Sequence, residues 1–183
     1  MRRYRLLLIA SATFAAQTLL PAAATVLDSG ANGFTVQESA HFSQPADKVY
    51  AALIQPAEWW SGAHSYSGSA TNFTFDAKAG GCWCETLPGA GSVLHMVVVY
   101  AEPGKALRLR GALGPLQALG VTGSMTWTLR PAGKETDLTL TYAVGGYAGS
   151  GFVELAKGVD GVLSQQVGRL TLYVETGMPE PQP

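Results

Sequence analysis

Charge is scarce in this chain: Asp, Glu, Lys and Arg make up 14% of its 183 residues, about half the usual share for a soluble domain. No run of adjacent lysines and arginines follows residue 5, which argues against a nucleic-acid or other polyanionic partner. Cysteine is nearly absent, with only Cys82 and Cys84, and His41, His64 and His95 stand at no ligand spacing from that pair. A structural zinc site wants four clustered ligands, so no metal is expected. No Gly-rich loop leads from a predicted strand into a helix, which leaves phosphate chemistry without support, and no cofactor is expected. Repeats at solenoid spacing are missing too. Beyond residue 20 no apolar run approaches the roughly 20 residues of a membrane span, so no stable insertion of a mature chain is expected.

What is present begins with a leader. Arg2, Arg3 and Arg5 precede an uncharged stretch from Leu6 to Leu20, and Pro21-Ala22-Ala23-Ala24 supplies small residues for a cut. This reads as a secretory signal over residues 1–24, cleaved after Ala24, with a periplasmic or secreted product. The leader holds three of the 12 Lys and Arg and none of the 13 Asp and Glu, so the remainder carries an excess of four acids. Residues 25–177 are expected to form one domain with a real core, and the Pro-rich end, 178–183, a disordered tail.

Gly33 to Phe42 reads as a first strand. Ser43 stands where a helix N-cap belongs, with Pro45 and Asp47 in the first turn, and Pro56 ends that helix at about Gln55. A short turn to Trp60 follows. Alternating runs then occupy Asn72–Ala77, Gly81–Thr86, Val93–Ala101, Ala106–Arg110, Ser124–Arg130 and Asp137–Gly145, an antiparallel meander with one wet and one buried face. From Ser150 to Gly177, apolar residues at 152, 155, 156, 159, 163, 167, 170 and 174 share one stripe of a long helix, with Ser150 as cap and Gly177 as stop. Gly158, Gly161 and Gly168 fall on the opposite side of that wheel, which argues against a cavity role for them. Gln166 falls inside the stripe, facing either a polar spot in a cavity or a buried carbonyl.

The order of strand, two short helices, curved antiparallel sheet and long C-terminal helix resembles the α+β helix-grip fold of the START-like superfamily also called SRPBCC. The segment from Ser43-Gln44-Pro45-Ala46-Asp47 to Trp59-Trp60 is similar to that family's opening. Phe75-Asp76-Ala77-Lys78-Ala79-Gly80-Gly81-Cys82-Trp83-Cys84-Glu85 and Glu102-Pro103-Gly104-Lys105 resemble the branch of the heat-shock-protein-90 ATPase activator homologues. The resemblance spans roughly residues 34–177 and implies a cavity between sheet and helix for lipids, sterols, polyketides or other apolar molecules. Some members are cyclases or dehydratases and others bind proteins. The chaperone-activator role transfers poorly, because an exported chain would not meet a cytosolic chaperone.

Candidate ligand-binding residues are Trp59, Trp60, Trp83, Glu85, His95, Trp127, Tyr142 and Gln166, with the apolar face of the last helix. Trp83 and Glu85 share the concave face by alternation. Glu85 either orients a head group or acts as a general acid with raised pKa, or is neutralised by an Arg or a Tyr hydroxyl, or sits at a wet rim. His95 is the other catalytic candidate and otherwise a hydrogen-bonded wall residue. Cys82 and Cys84 fall on the opposite face, and a disulfide between them would need a bulge, which Gly80-Gly81 would permit. The function expected is an exported carrier of a small apolar or lipid-like ligand. The alternatives are a cyclase, dehydratase or hydrolase working through Glu85 and His95, and a protein-interaction module.

Overall fold

The computed structural model describes residues 25–180; the predicted leader and the last three residues of the predicted tail lie outside that range. Eight strands form one antiparallel sheet: β1 (Thr25–Ser29), β2 (Gly33–Phe42), β3 (Phe73–Phe75), β4 (Cys82–Thr86), β5 (Ser92–Glu102), β6 (Ala106–Gly111), β7 (Gly120–Ala132) and β8 (Glu135–Tyr147). Their order across the sheet is β1-β2-β8-β7-β6-β5-β4-β3. Two short helices, α1 (Ala46–Leu53) and α2 (Pro56–Trp59), follow β2, and the long α3 (Val153–Thr176) closes the chain over the inner face. This is the helix-grip α+β architecture.

Alternation builds the inner face. Met125, Trp127 and Leu129 on β7 stand opposite Tyr142, Leu140 and Leu138 on β8, and all six are buried. Their neighbours Ser124, Thr126 and Thr128 point the other way, so hydroxylated residues face outward while the large apolar ones are buried on the inner face. Gly33 permits a close approach at the edge of this core, because a Cβ there would lie 2.2 Å from the carbonyl oxygen of Val144.

Several local expectations are corrected. An additional strand, β1, precedes Gly33 and pairs with β2; five residues carry too short a pattern to be read as a strand alone. Ser43 is not the N-cap of α1: Pro45 takes that place, its carbonyl accepting from the amides of Lys48 and Val49. The amide and hydroxyl of Ser43 instead donate to the carboxylate of Glu175, tying the chain ahead of α1 to the last turn of α3. That helix ends at Leu53, and the strand expected over 72–77 shrinks to Phe73–Phe75. Ser150 does not cap α3 either, since Phe152 precedes the first helical residue and is itself buried. Gly177 does stop α3, in the left-handed conformation at φ 79°, donating to the carbonyl of Tyr173.

Along α3, Ala156, Leu163, Val167 and Leu170 are buried, while Leu155, Val159 and Val174 are partly so. The helix packs on β1 and β2 and touches α1 and α2. Its C-terminal half is therefore seated in packed core, and truncation there creates a void. Leu170→Ala is expected to cost about 2–5 kcal/mol in denaturant unfolding, and Leu155→Ala distinctly less, because Leu155 already borders open space.

Candidate functional site

A cavity of about 570 Å³ opens to solvent between the first half of α3 and the strands at the β3–β5 end of the sheet. Its floor is a set of rings. Trp83 on β4 packs edge-on against Trp60 with centroids 4.8 Å apart and against Phe73 at 5.7 Å, and lies 5.7 Å from the His95 imidazole. Leu113, Gly114, Pro115 and Leu116 form one side, and Leu155, Gly158, Val159, Val162 and Leu163 of α3 the other. Ala63, His64, Ser65 and Tyr66 complete the wall. Among the described residues no Lys or Arg lines it, and the one carboxylate there, Glu154, pairs with Lys157 at 2.8 Å.

The polar centre of this end is Glu85, buried on β4. Its oxygens accept from the amide of Ser67 at 2.6 Å, the amide of Tyr66 at 3.1 Å and Nε2 of His95 at 2.9 Å. Burial pushes this carboxyl up, but the hydrogen bonds from Ser67, Tyr66 and His95 outweigh it and hold the group below the usual carboxylate range. Burial also pushes the His95 imidazole down, further than the hydrogen bond and charge of Glu85 raise it. His95 is thus neutral beside an ionised carboxylate. An acceptor-only carboxylate requires the proton on Nε2, which leaves Nδ1 as an acceptor on a residue of the cavity wall.

A bulge brings His95 to that position. Trp83 pairs with Met96 and Cys84 with Leu94, so His95 is the extra residue of β5 and both it and Met96 turn inward. On the outer face Cys82 and Cys84 form a disulfide with Cα atoms 5.5 Å apart. The register shift that accompanies it lies across the ladder at His95, not at Gly80-Gly81, which make the turn between β3 and β4.

Of the residues singled out in the sequence, Trp60, Trp83 and His95 line the cavity; Glu85 stands behind His95 as its anchor. Among the described residues no Arg or Tyr hydroxyl bonds Glu85; its partners are the two loop amides and His95. Trp59 and Trp127 pack edge to face in the closed core, with Trp59 Nε1 donating to Ala52. The Tyr142 hydroxyl, its pKa pushed up to about 12 by burial despite a smaller opposite pull from the Leu113 amide, donates to the carbonyl of Gly111 and accepts from that amide at 3.2 Å, fixing the chain ahead of Gly114. Gln166 is buried and accepts from the amide of Ser61, so it satisfies a backbone donor and not a carbonyl. Gly158 does line the cavity, against expectation, because the opening extends past the edge of the apolar stripe.

Sequence reasoning missed the loop from Gly62 to Ser69 and the turn at Leu113–Leu116. The first acts through backbone amides, which leave no side-chain signature; Gly114-Pro115 did mark a turn, with Leu116 as its apolar anchor. Among the described residues no three His, Cys, Asp or Glu cluster to hold a metal, and no helix is long and apolar enough to cross a membrane.

The sequence profile of a family described as polyketide cyclase / dehydrase and lipid transport matches residues 33–175. Among solved structures, protein CV1439 from Chromobacterium violaceum is similar at 19% identity over 77% of this chain and 96% of that one, TM-score 0.55. Protein EF2215 from Enterococcus faecalis, of unknown function, matches at 15% identity over 88% and 80%, TM-score 0.57. DynU16, from the dynemicin biosynthetic locus, is 26% identical over 79% of this chain, which spans 48% of it, TM-score 0.55. No curated protein matches the chain.

The buried pair sets a sign for pH dependence. The lowered pKa of His95 makes the unfolded state the better proton acceptor, so its contribution is complete above about pH 6.5 and is lost as pH falls below that; Glu85 adds a loss below about pH 4.5. His95→Gln, which keeps a donor for Glu85, is expected to flatten the fall of thermal stability between about pH 6.5 and 5. Glu85→Ala strands one buried and two part-buried donors and is expected to cost about 3 kcal/mol in denaturant unfolding.

Proposed function

Because the chain belongs to the polyketide cyclase / dehydrase and lipid transport family, we propose that it is an exported binding protein holding a small, uncharged apolar or lipid-like molecule between sheet and C-terminal helix. The observation that carries this reading is the ring-floored cavity of about 570 Å³ with no Lys or Arg on its wall. A volume of that order suits a small-molecule ligand. Contact with Trp60, Trp83, Leu116 and Leu163 supplies affinity by apolar burial, and Nδ1 of His95 offers one acceptor to a ligand hydroxyl. A ligand anion would find no cation on this wall, so free fatty acids and phosphate-bearing lipids rank below neutral amphiphiles.

Export is supported by the basic and apolar leader of residues 1–24 and by the paired Cys82 and Cys84, which suit an oxidising compartment. Amino-terminal sequencing of secreted or periplasmic material tests it: the mature chain is expected to begin at Thr25, and recovery of the intact leader in the cytoplasm would end the export reading.

The binding reading is tested by native mass spectrometry of protein purified from its own compartment, and by uptake of the neutral dye N-phenylnaphthylamine. Gly158→Leu places a side chain where a Cβ now meets nothing within 4 Å, at the cavity wall. It is expected to weaken dye binding at least about tenfold while leaving thermal stability equal or higher, because Leu is the better helix former. Dye affinity unchanged by this filling, or a protein that takes up neither lipids nor dye, would remove the proposal.

One observation favours a second reading, an enzyme of the cyclase or dehydratase type. A neutral imidazole oriented by an ionised, buried carboxylate is the arrangement of a general base, and it borders the cavity. In that case His95→Gln abolishes turnover of a captured ligand and leaves its uptake intact; equal turnover in the variant would dismiss the reading.

A further inference from the structure

The inward row of β2 carries Phe34, Val36, Glu38 and Phe42, all buried, so a carboxyl interrupts an otherwise apolar contact with α3. Glu38 is 0% exposed and neither of its oxygens has a hydrogen-bond partner. Oδ1 of Asp160, on α3, is likewise buried and unpartnered. Asp160 and Ser164, one helical turn apart, are the side chains that act on Glu38, and no Lys, Arg or His is among them. From the other elements nothing compensates. Opposite Glu38 on β8 stands Leu140, the inward Tyr142 beyond it is engaged with Gly111 and Leu113, and β1 ends its pairing at Gln37.

Two carboxylates cannot both stay ionised in such a place. Burial and the neighbouring charge of Asp160 push Glu38 up to about 7, against a smaller opposite pull from the Ser164 hydroxyl. We propose that Glu38, buried beside Asp160 at the seam between β2 and α3, is a pH-operated latch, closed when Glu38 is protonated, whose opening lifts this stretch of α3 and loosens the ligand cavity. The regulatory half of this proposal rests on the cavity reading above. Asp160 follows Val159 and precedes Val162 and Leu163, all three on the cavity wall. Gly158 and Gly161 bracket it with open space where a Cβ would stand, so this stretch of helix has weak intrinsic preference and is held by its contact with the sheet.

A carboxyl raised in the folded state contributes stability in full below its ordinary value near 4.5 and loses it as pH rises to about 7. That sign is opposite to the one set by Glu85 and His95, so the comparison that isolates the latch is wild type against Glu38→Gln, not one pH against another.

The mature chain, Glu38→Gln and Asp160→Asn are compared between about pH 5 and about pH 8. In the wild type an infrared band of a protonated carboxylic acid persists to near neutral pH, and amide exchange over residues 155–165, corrected for intrinsic rates, accelerates as pH rises. N-phenylnaphthylamine affinity falls at least about threefold over the same range. Glu38→Gln lacks the band and shows neither change. Should Glu38→Gln fail to fold, Asp160→Asn decides: removal of the neighbouring charge shifts the midpoint of the exchange transition to lower pH, and an unshifted midpoint overturns the latch. An identical pH response in wild type and Glu38→Gln overturns it as well, as does a calcium-dependent rise in melting temperature that Glu38→Gln abolishes, since a cation would then occupy the seam. If band and exchange behave as stated but the dye binds at no pH, the proton held by Glu38 at the seam stands and the cavity reading fails. If dye binds equally at every pH while exchange stays flat, the latch falls and the cavity reading survives.

Discussion

One helix about 10 Å across cannot cover the inner face of an eight-stranded sheet whose strands lie about 4.8 Å apart. α3 lies along β2 over its length, from Phe152 beside Phe34 to Glu175 at Ser43, and its Val167 and Leu170 are fully buried. The remaining inner face is covered by the short helices α1 and α2, the loop from Gly62 to Ser69 and the turn at Leu113–Leu116, and these cover it incompletely, so a cavity remains. The cavity is thus a consequence of sheet width and of where the single long helix is anchored.

Loops are poor walls unless something fixes them, and here buried polar groups do so. Glu85 collects two loop amides and the His95 imidazole, Gln166 takes the amide of Ser61, and Tyr142 bridges Gly111 and Leu113. All but the Glu85–His95 bond satisfy a part-buried backbone group, and these place the ends of the wall segments. Glu85 and Glu38 show two solutions to the same problem of a carboxyl inside the protein. Glu85 has donors and is held below the usual carboxylate range; Glu38 has a second acid beside it and is pushed up to about 7.

Much of this fold is legible in the residues. The alternation of Met125, Trp127 and Leu129 against Ser124, Thr126 and Thr128 requires a sheet with one buried face, and the stripe from Phe152 to Val174 requires a helix to cover it. Ser43 and Ser150 show where local rules lose. Both are good caps by type, yet Ser43 is taken by a carboxylate 132 residues away and Ser150 stands outside the first turn of α3, begun by Phe152. The acid at position 38 breaks the inward row visibly, but its partner on α3 lies far along the chain and nothing in one sequence joins the two.

Periodicity and residue type, which are properties of neighbours along the chain, were enough to determine seven of the eight strands, the gripping helix and a concave face carrying Trp83 and Glu85, though not β1. Which aromatics stand at the cavity and which are sealed in the core was decided by the tertiary structure, because it depends on how far α3 reaches across the sheet: Trp60 and Trp83 face the opening, Trp59 and Trp127 do not. The same holds for His95, turned inward by a one-residue bulge in β5, and for the amides of Tyr66 and Ser67, donors that every residue but proline carries and that only the folded chain brings to one carboxylate.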